Sequence, residues 1–152
     1  MIKWGISAYN HNAAIAVVED DQILFASESE RYSGIKNDSN IPENMIKEVL
    51  EYGEPDQIHW YENQLLKNIR RLYAGQKWKK LDIHPWIKRK RIRYHGHHET
   101  HARAGFYTSP FDSATVLVVD AIGEFNTTSI WHATNKHLTK FWTENYPNSL
   151  GL

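Results

Sequence analysis

No cysteine occurs among the 152 residues, which excludes disulfides, thiolate metal sites and cysteine catalysis together. The absence fits a reducing cytoplasm, the location expected here. Net charge is also missing: 18 Lys and Arg balance 18 Asp and Glu, so no global field recruits nucleic acid or an anionic membrane. No stretch approaches the roughly 20 apolar residues that span a bilayer. Met1, Ile2, Lys3, Trp4 and Gly5 lack the apolar core of a signal peptide. Neither a membrane nor a nucleic acid is therefore expected as a partner. The 41% of residues that are apolar suffice for a core in one ordinary domain.

What the chain does have is histidine in one place. His95, His97, His98 and His101 fall within seven residues and are four of nine histidines. His97 and His101 are four apart, so on a helix both imidazoles share a face, one turn apart, where a single divalent cation can bridge them. An apolar run ending at Asp120 offers a third, harder ligand. A bare His-x-x-x-His pair is weak evidence alone. His98-Glu99-Thr100-His101 is one residue short of the His-Glu-x-x-His zinc signature, so that protease chemistry is not expected. Asp120 strengthens the pair, because a carboxylate ending a buried strand is expensive unless something pairs with it. The alternative is that Asp120 caps its own turn through backbone hydrogen bonds.

Periodicity predicts strands at 2–7, 13–19 and 23–29, the last two joined by the tight turn Asp20-Asp21. A helix is expected over 42–52, opened by Pro42 and closed before Gly53, then a strand at 57–61 and a helix at 64–73. Residues 77–93 are basic and rich in Trp and Ile. They read first as a solvated connector and second as a phosphate patch. A helix at 97–107 stops before Pro110. The run 114–120 reads as a strand buried on both faces, followed by strands at 127–132 and 137–144.

The segments 2–29 and 114–144 share one plan of strand, loop, strand, tight turn, strand. A duplicated three-strand meander with helices between is the plan of the actin-like ATPase (ribonuclease H-like) fold, an α/β class that holds ligand between two halves. The chain reads as the first half of such a fold plus the opening strands of the second. A first subdomain would cover 1–113 and a second would start at 114–152, cut short at Leu152.

Other residues carry two readings each. His11 lies in the first interstrand loop and by default is a solvated turn residue. Lys36 by default belongs to a loose polar loop, and Arg70 and Arg71 by default face water from their helix. The Gly123-Glu124 turn could offer backbone amides to phosphate oxygens.

In order along the chain stand Tyr9-Asn10-His11-Asn12-Ala13-Ala14, the segment from Ser29 and Glu30 to Asn37 and Asp38, and His97-His98-Glu99-Thr100-His101-Ala102. Then come Phe106-Tyr107-Thr108-Ser109-Pro110-Phe111, Val119-Asp120-Ala121-Ile122-Gly123-Glu124 and Ser149-Leu150-Gly151. Together they resemble the amino-terminal region of the O-carbamoyltransferases, the family of nodulation protein U and the antibiotic carbamoyltransferases. The resemblance spans nearly the whole chain and implies the same actin-like fold. It also implies a YrdC-like domain elsewhere, which makes carbamoyl adenylate from carbamoyl phosphate and ATP. The first domain then transfers the carbamoyl group to a hydroxyl of a small-molecule acceptor.

By position the resemblance puts a divalent metal, iron, on His97, His101 and Asp120. It makes His11 the base near the carbamoyl group and Lys36 a holder of carbamoyl or phosphate oxygens. Arg70, Gly123 and Glu124 would contact the nucleotide. The YrdC-like domain is absent from this chain, so the activity implied is that of a larger enzyme or one split over a second polypeptide. A non-catalytic remnant or interaction module retaining the metal or nucleotide site is the alternative. Three departures stand out. Asn12 and Ala13 replace the family's usual loop residues, Ala121 replaces a glycine, and Gly34 displaces an arginine.

Overall fold

A computed structural model describes residues 1–10 and 12–151. Along the chain the order begins β1 (Ile2–Ser7), β2 (Ala14–Glu19), β3 (Gln22–Glu28), α1 (Glu30–Ser33), α2 (Glu43–Glu51), β4 (Gln57–Trp60) and α3 (Gln64–Tyr73). It continues with α4 (Pro85–Lys88), β5 (Ile92–Tyr94), α5 (His97–Tyr107), β6 (Ser113–Val119), β7 (Asn126–Thr134) and β8 (Leu138–Asn145). The fold is mixed α/β with two sheets, and the chain divides into two compact units.

The first unit comprises Met1–Tyr61 and Lys80–Tyr94. Alternation makes its strands: β1 buries Trp4 and Ile6 and turns Lys3 outward, and β2 buries Ile15 and Val17. The β2–β3 turn is Asp20-Asp21, both at positive φ (44° and 70°), a conformation that Asp tolerates in two-residue hairpins. Antiparallel β1–β2–β3 is extended on the other side of β1 by parallel β4 and then β5, giving the order β3-β2-β1-β4-β5. From α2, Met45, Ile46 and Val49 join the strand residues in the core. Gly53 follows α2 at φ +120°, where its bare Cα lies against Ile2.

Three short elements here were not expected. α1 and α4 span one turn each, too short to show a period. β5 is a three-residue strand at the end of the basic run. That run is a connector with its own core residues: Ile87 is fully buried and Trp86 stacks on Trp4 at 4.9 Å.

The second unit comprises Glu62–Lys79 and His95–Leu152. Its sheet is the antiparallel meander β6-β7-β8, with Val118 opposite Ser129 and Val116 opposite Trp131. Ala102 of α5 packs with Val118 and Trp131, flanked by Val116 and Leu138. The expectation that both faces of β6 are buried fails. Leu117 is 62% exposed and Val119 48%, because α5 packs against the Val116–Val118 side alone. The apolar run reflects β-propensity on the open side as much as burial.

α3 also departs from expectation. Its bounds agree, but Arg70 is 8% exposed and Asn68 2%, while Leu65, Leu66, Ile69 and Leu72 are exposed. Backbone partners make that inversion affordable: Asn68 exchanges two hydrogen bonds with the Lys79 backbone, and Arg70 donates to the Glu124 carbonyl oxygen.

Candidate metal centre

α5 begins at His97 because Gly96 in extended conformation ends the preceding loop. On α5, His98, Ala102 and Phe106 recur every four residues and form the buried stripe facing the sheet. His97 and His101 form the neighbouring stripe, their ring centroids 4.6 Å apart and inclined at 72°. The β6–β7 turn brings Asp120 to them. His97 Nε2 stands 2.8 Å from Asp120 Oδ2 and 3.0 Å from His101 Nε2. One ligand atom from each of the three residues falls within 4.8 Å of the others. Among the described residues no other group of three His, Asp or Glu converges in this way.

The donor set fits a divalent cation. His97 Nε2 carries at most one proton, which cannot point at both Asp120 and His101, so two imidazole nitrogens and a carboxylate oxygen converge with more lone pairs than hydrogens. A cation satisfies all three. Burial first, and the charge of His97 second, lower the pKa of His101 and favour the neutral form that ligates. Two histidines and one carboxylate are the donor set of non-haem iron sites and also serve zinc.

Asp120 does both things that were open for it. Oδ2 meets His97, and Oδ1 accepts the Ala121 N–H at 2.7 Å, so the carboxylate caps its turn and faces the histidines at once. Ala121 is not among the described non-glycine residues with positive φ, so the alanine sits there without backbone strain. From the far end of the unit, the Ser149 hydroxyl reaches the carbonyl oxygens of Ala121 (2.8 Å) and Asp120 (3.2 Å).

His98 does not take part in the cluster. Its Nδ1 lies 2.7 Å from Ser129 Oγ, which also accepts the Trp131 indole N–H at 2.7 Å. Burial, then the charge of neighbouring His97, push its pKa down to about 4, so at neutral pH it is an uncharged anchor of α5 to the sheet. This role was not read from the sequence, where His98 counted only toward the cluster.

Gly123 and Glu124 have partners inside the protein. The Gly123 N–H donates to the Asn126 carbonyl oxygen at 2.9 Å. Space accounts for this glycine: a Cβ would fall 3.0 Å from His98 Cδ2 and 3.2 Å from both His97 Cδ2 and the Asn126 carbonyl oxygen. The Glu124 carboxylate, 5% exposed, accepts the backbone N–H groups of Asn63 (2.7 Å) and His97 (3.0 Å). Arg70 is brought to the same turn through its bond to the Glu124 carbonyl oxygen, at 3.1 Å. Lys36 lies exposed on a turn of the first unit, and His11 lies outside the described residues. Among the described residues no helix is long and apolar enough to cross a membrane.

Comparison with known proteins bears on the chain as a whole. The chain is 33% identical to an uncharacterised protein of Synechocystis sp. over 183 aligned positions, covering 97% of the chain and 30% of that protein. It is 31% identical to an uncharacterised protein of Methanocaldococcus jannaschii, over 75% of the chain and 21% of that protein. It is also 26% identical to nodulation protein NolNO of Sinorhizobium fredii, over 78% of the chain and 21% of that protein. The chain thus spans less than a third of the length of these relatives. The family described as carbamoyltransferase N-terminus matches residues 3–65 and 54–152, which together run from near the start of the chain to its last residue. By that match the chain belongs to the carbamoyltransferase N-terminus family.

Proposed function

We propose that the chain forms the amino-terminal part of a carbamoyl-transfer domain with the actin-like ATPase fold, its second subdomain opening at residue 114. In this reading the donor is carbamoyl adenylate, made from carbamoyl phosphate and ATP by a YrdC-like domain of a larger or split enzyme in the cytoplasm. The acceptor is a hydroxyl of a small molecule. The observation that carries the reading is the convergence of His97, His101 and Asp120 in a chain of this family.

The chemistry breaks the bond between the carbamoyl carbon and the adenylate phosphate oxygen and forms one from that carbon to the acceptor oxygen. AMP leaves, and the acceptor proton passes to a base. A divalent cation, iron in the first instance, supplies Lewis-acid polarisation and a template when bound. His97, His101 and Asp120 hold it, with the neutral rings as nitrogen donors. His11 is assigned the base and Lys36 the stabilisation of carbamoyl or phosphate oxygens. Arg70 is the guanidinium assigned to the nucleotide's phosphate, being held by one nitrogen to the Glu124 carbonyl oxygen. The Gly123 amide and Glu124 carboxylate already have partners, and a carboxylate repels phosphate. They are therefore assigned to the shape of the site and not to direct nucleotide contact.

The test is metal analysis of the purified chain and of His101→Ala after equal loading with iron or zinc. The reading expects metal in the wild type and its loss in the variant. Equal metal in both would sink it.

A further inference from the structure

α5 carries two of the three proposed ligands, yet its own sequence does not cap it. Its N-cap is Gly96, with no side chain, and no side-chain cap bond is made from that position. The first turn of any helix leaves backbone N–H groups without intrahelical partners. Here the His97 N–H, the first of them, donates to both oxygens of Glu124, 3.0 Å from each. The same Oε1 accepts the Asn63 N–H at 2.7 Å, and Asn63 is itself the N-cap of α3, holding the Leu65 and Leu66 amides with its side chain. One buried carboxylate thus joins the starts of two helices of the second unit. Negative charge at a helix start is also favoured by the helix dipole.

The placement of Glu124 in the chain matters as much as its bonds. Asp120, the third ligand, stands four residues earlier on the same β6–β7 turn, and Gly123 between them lets the turn lie against the Cδ2 edges of His97 and His98. Asp120 approaches the ring of His97 while Glu124 holds its backbone nitrogen. His97 is therefore held at its ring and at its backbone nitrogen by one turn.

We propose that Glu124 is the positioning residue of the metal centre: through the His97 N–H it sets where α5 starts relative to Asp120, and so where His97 Nε2 and His101 Nε2 point. This rests on the metal reading given above, and it assigns Glu124 no contact with metal or nucleotide. Removing the carboxylate frees the start of α5 to shift against the turn. Ligand geometry then loosens while all three ligands remain present. Partners that orient a metal ligand commonly contribute about 10- to 100-fold in affinity.

The test titrates Co(II) into the metal-free full chain and follows its visible absorption, for wild type, Glu124→Gln, Glu124→Ala, His101→Ala and Leu138→Ala. Leu138 packs on the sheet core and pairs with Ala133, which faces Ala114 at the end of β6 opposite to Asp120, and it controls for general loss of stability. Thermal unfolding of each metal-free variant is recorded alongside. The expected result is at least about tenfold weaker Co(II) binding and an altered absorption band for Glu124→Ala. Glu124→Gln, which keeps one acceptor oxygen, should show a smaller loss, and Leu138→Ala should bind as wild type does despite reduced stability. If Glu124→Ala and Leu138→Ala bind alike at similar stability, Glu124 is only structural and the inference is overturned. If wild type binds no better than His101→Ala, the metal reading itself fails, and this inference with it.

Discussion

Gly151 lies against Asp120 so closely that a Cβ on it would fall 2.5 Å from the Asp120 carbonyl carbon and 2.7 Å from the Ala121 nitrogen. The obstacle is backbone, which cannot swing aside. Gly151→Ala should lift the segment off the Asp120-Ala121 turn and break the Ser149 bonds to both residues. Those bonds are worth about 1 kcal/mol. Ser149→Ala should then cost a similar amount in urea unfolding, and the double variant little more than either single one. Additive losses would show that the two residues act independently.

Gly123→Ala meets a different obstacle, the edges of two imidazoles. Overpacking of this kind typically costs about 1–3 kcal/mol. We expect a loss in that range, and weaker metal binding, because the methyl group pushes His97 away from Asp120. Retention of wild-type stability and affinity would mean that the turn can retreat freely.

Much of this was legible in the sequence, and the exceptions have physical causes. α5 was readable to the residue, because the histidine run follows Gly96 and Pro110 bars continuation. β6 was readable as a strand but not in its burial, since Val and Leu fill an open β face as readily as a covered one. α3 was readable in extent and inverted in orientation. Nothing local to Arg70 signals that a carbonyl oxygen 54 residues away awaits it. The convergence of His97, His101 and Asp120 was legible because both histidines lie on one helix. The partners of Glu124 were not, because they are backbone nitrogens from two distant helices, and a backbone donor leaves no mark in sequence.

His98 predicts a pH dependence. Its pKa in the folded chain, about 4, lies below the ordinary imidazole value of 6.5. Between those values the unfolded chain binds a proton that the folded chain does not. Its contribution is therefore fully present above about pH 6.5 and is lost as pH falls toward 4, on the order of 3 kcal/mol in all. Metal-free wild type should lose more stability than His98→Asn over this range by urea unfolding. Parallel losses would assign the acid sensitivity to other groups.

X-ray absorption of the iron- or zinc-loaded chain bears most directly on the centre, because it counts the imidazoles around the metal. The account predicts two histidine nitrogens, at about 2.0–2.1 Å for zinc, with oxygen completing the shell in the wild type, and one histidine nitrogen or no retained metal in His101→Ala. An identical histidine count in the two proteins, or a wild type that retains no metal, would contradict it.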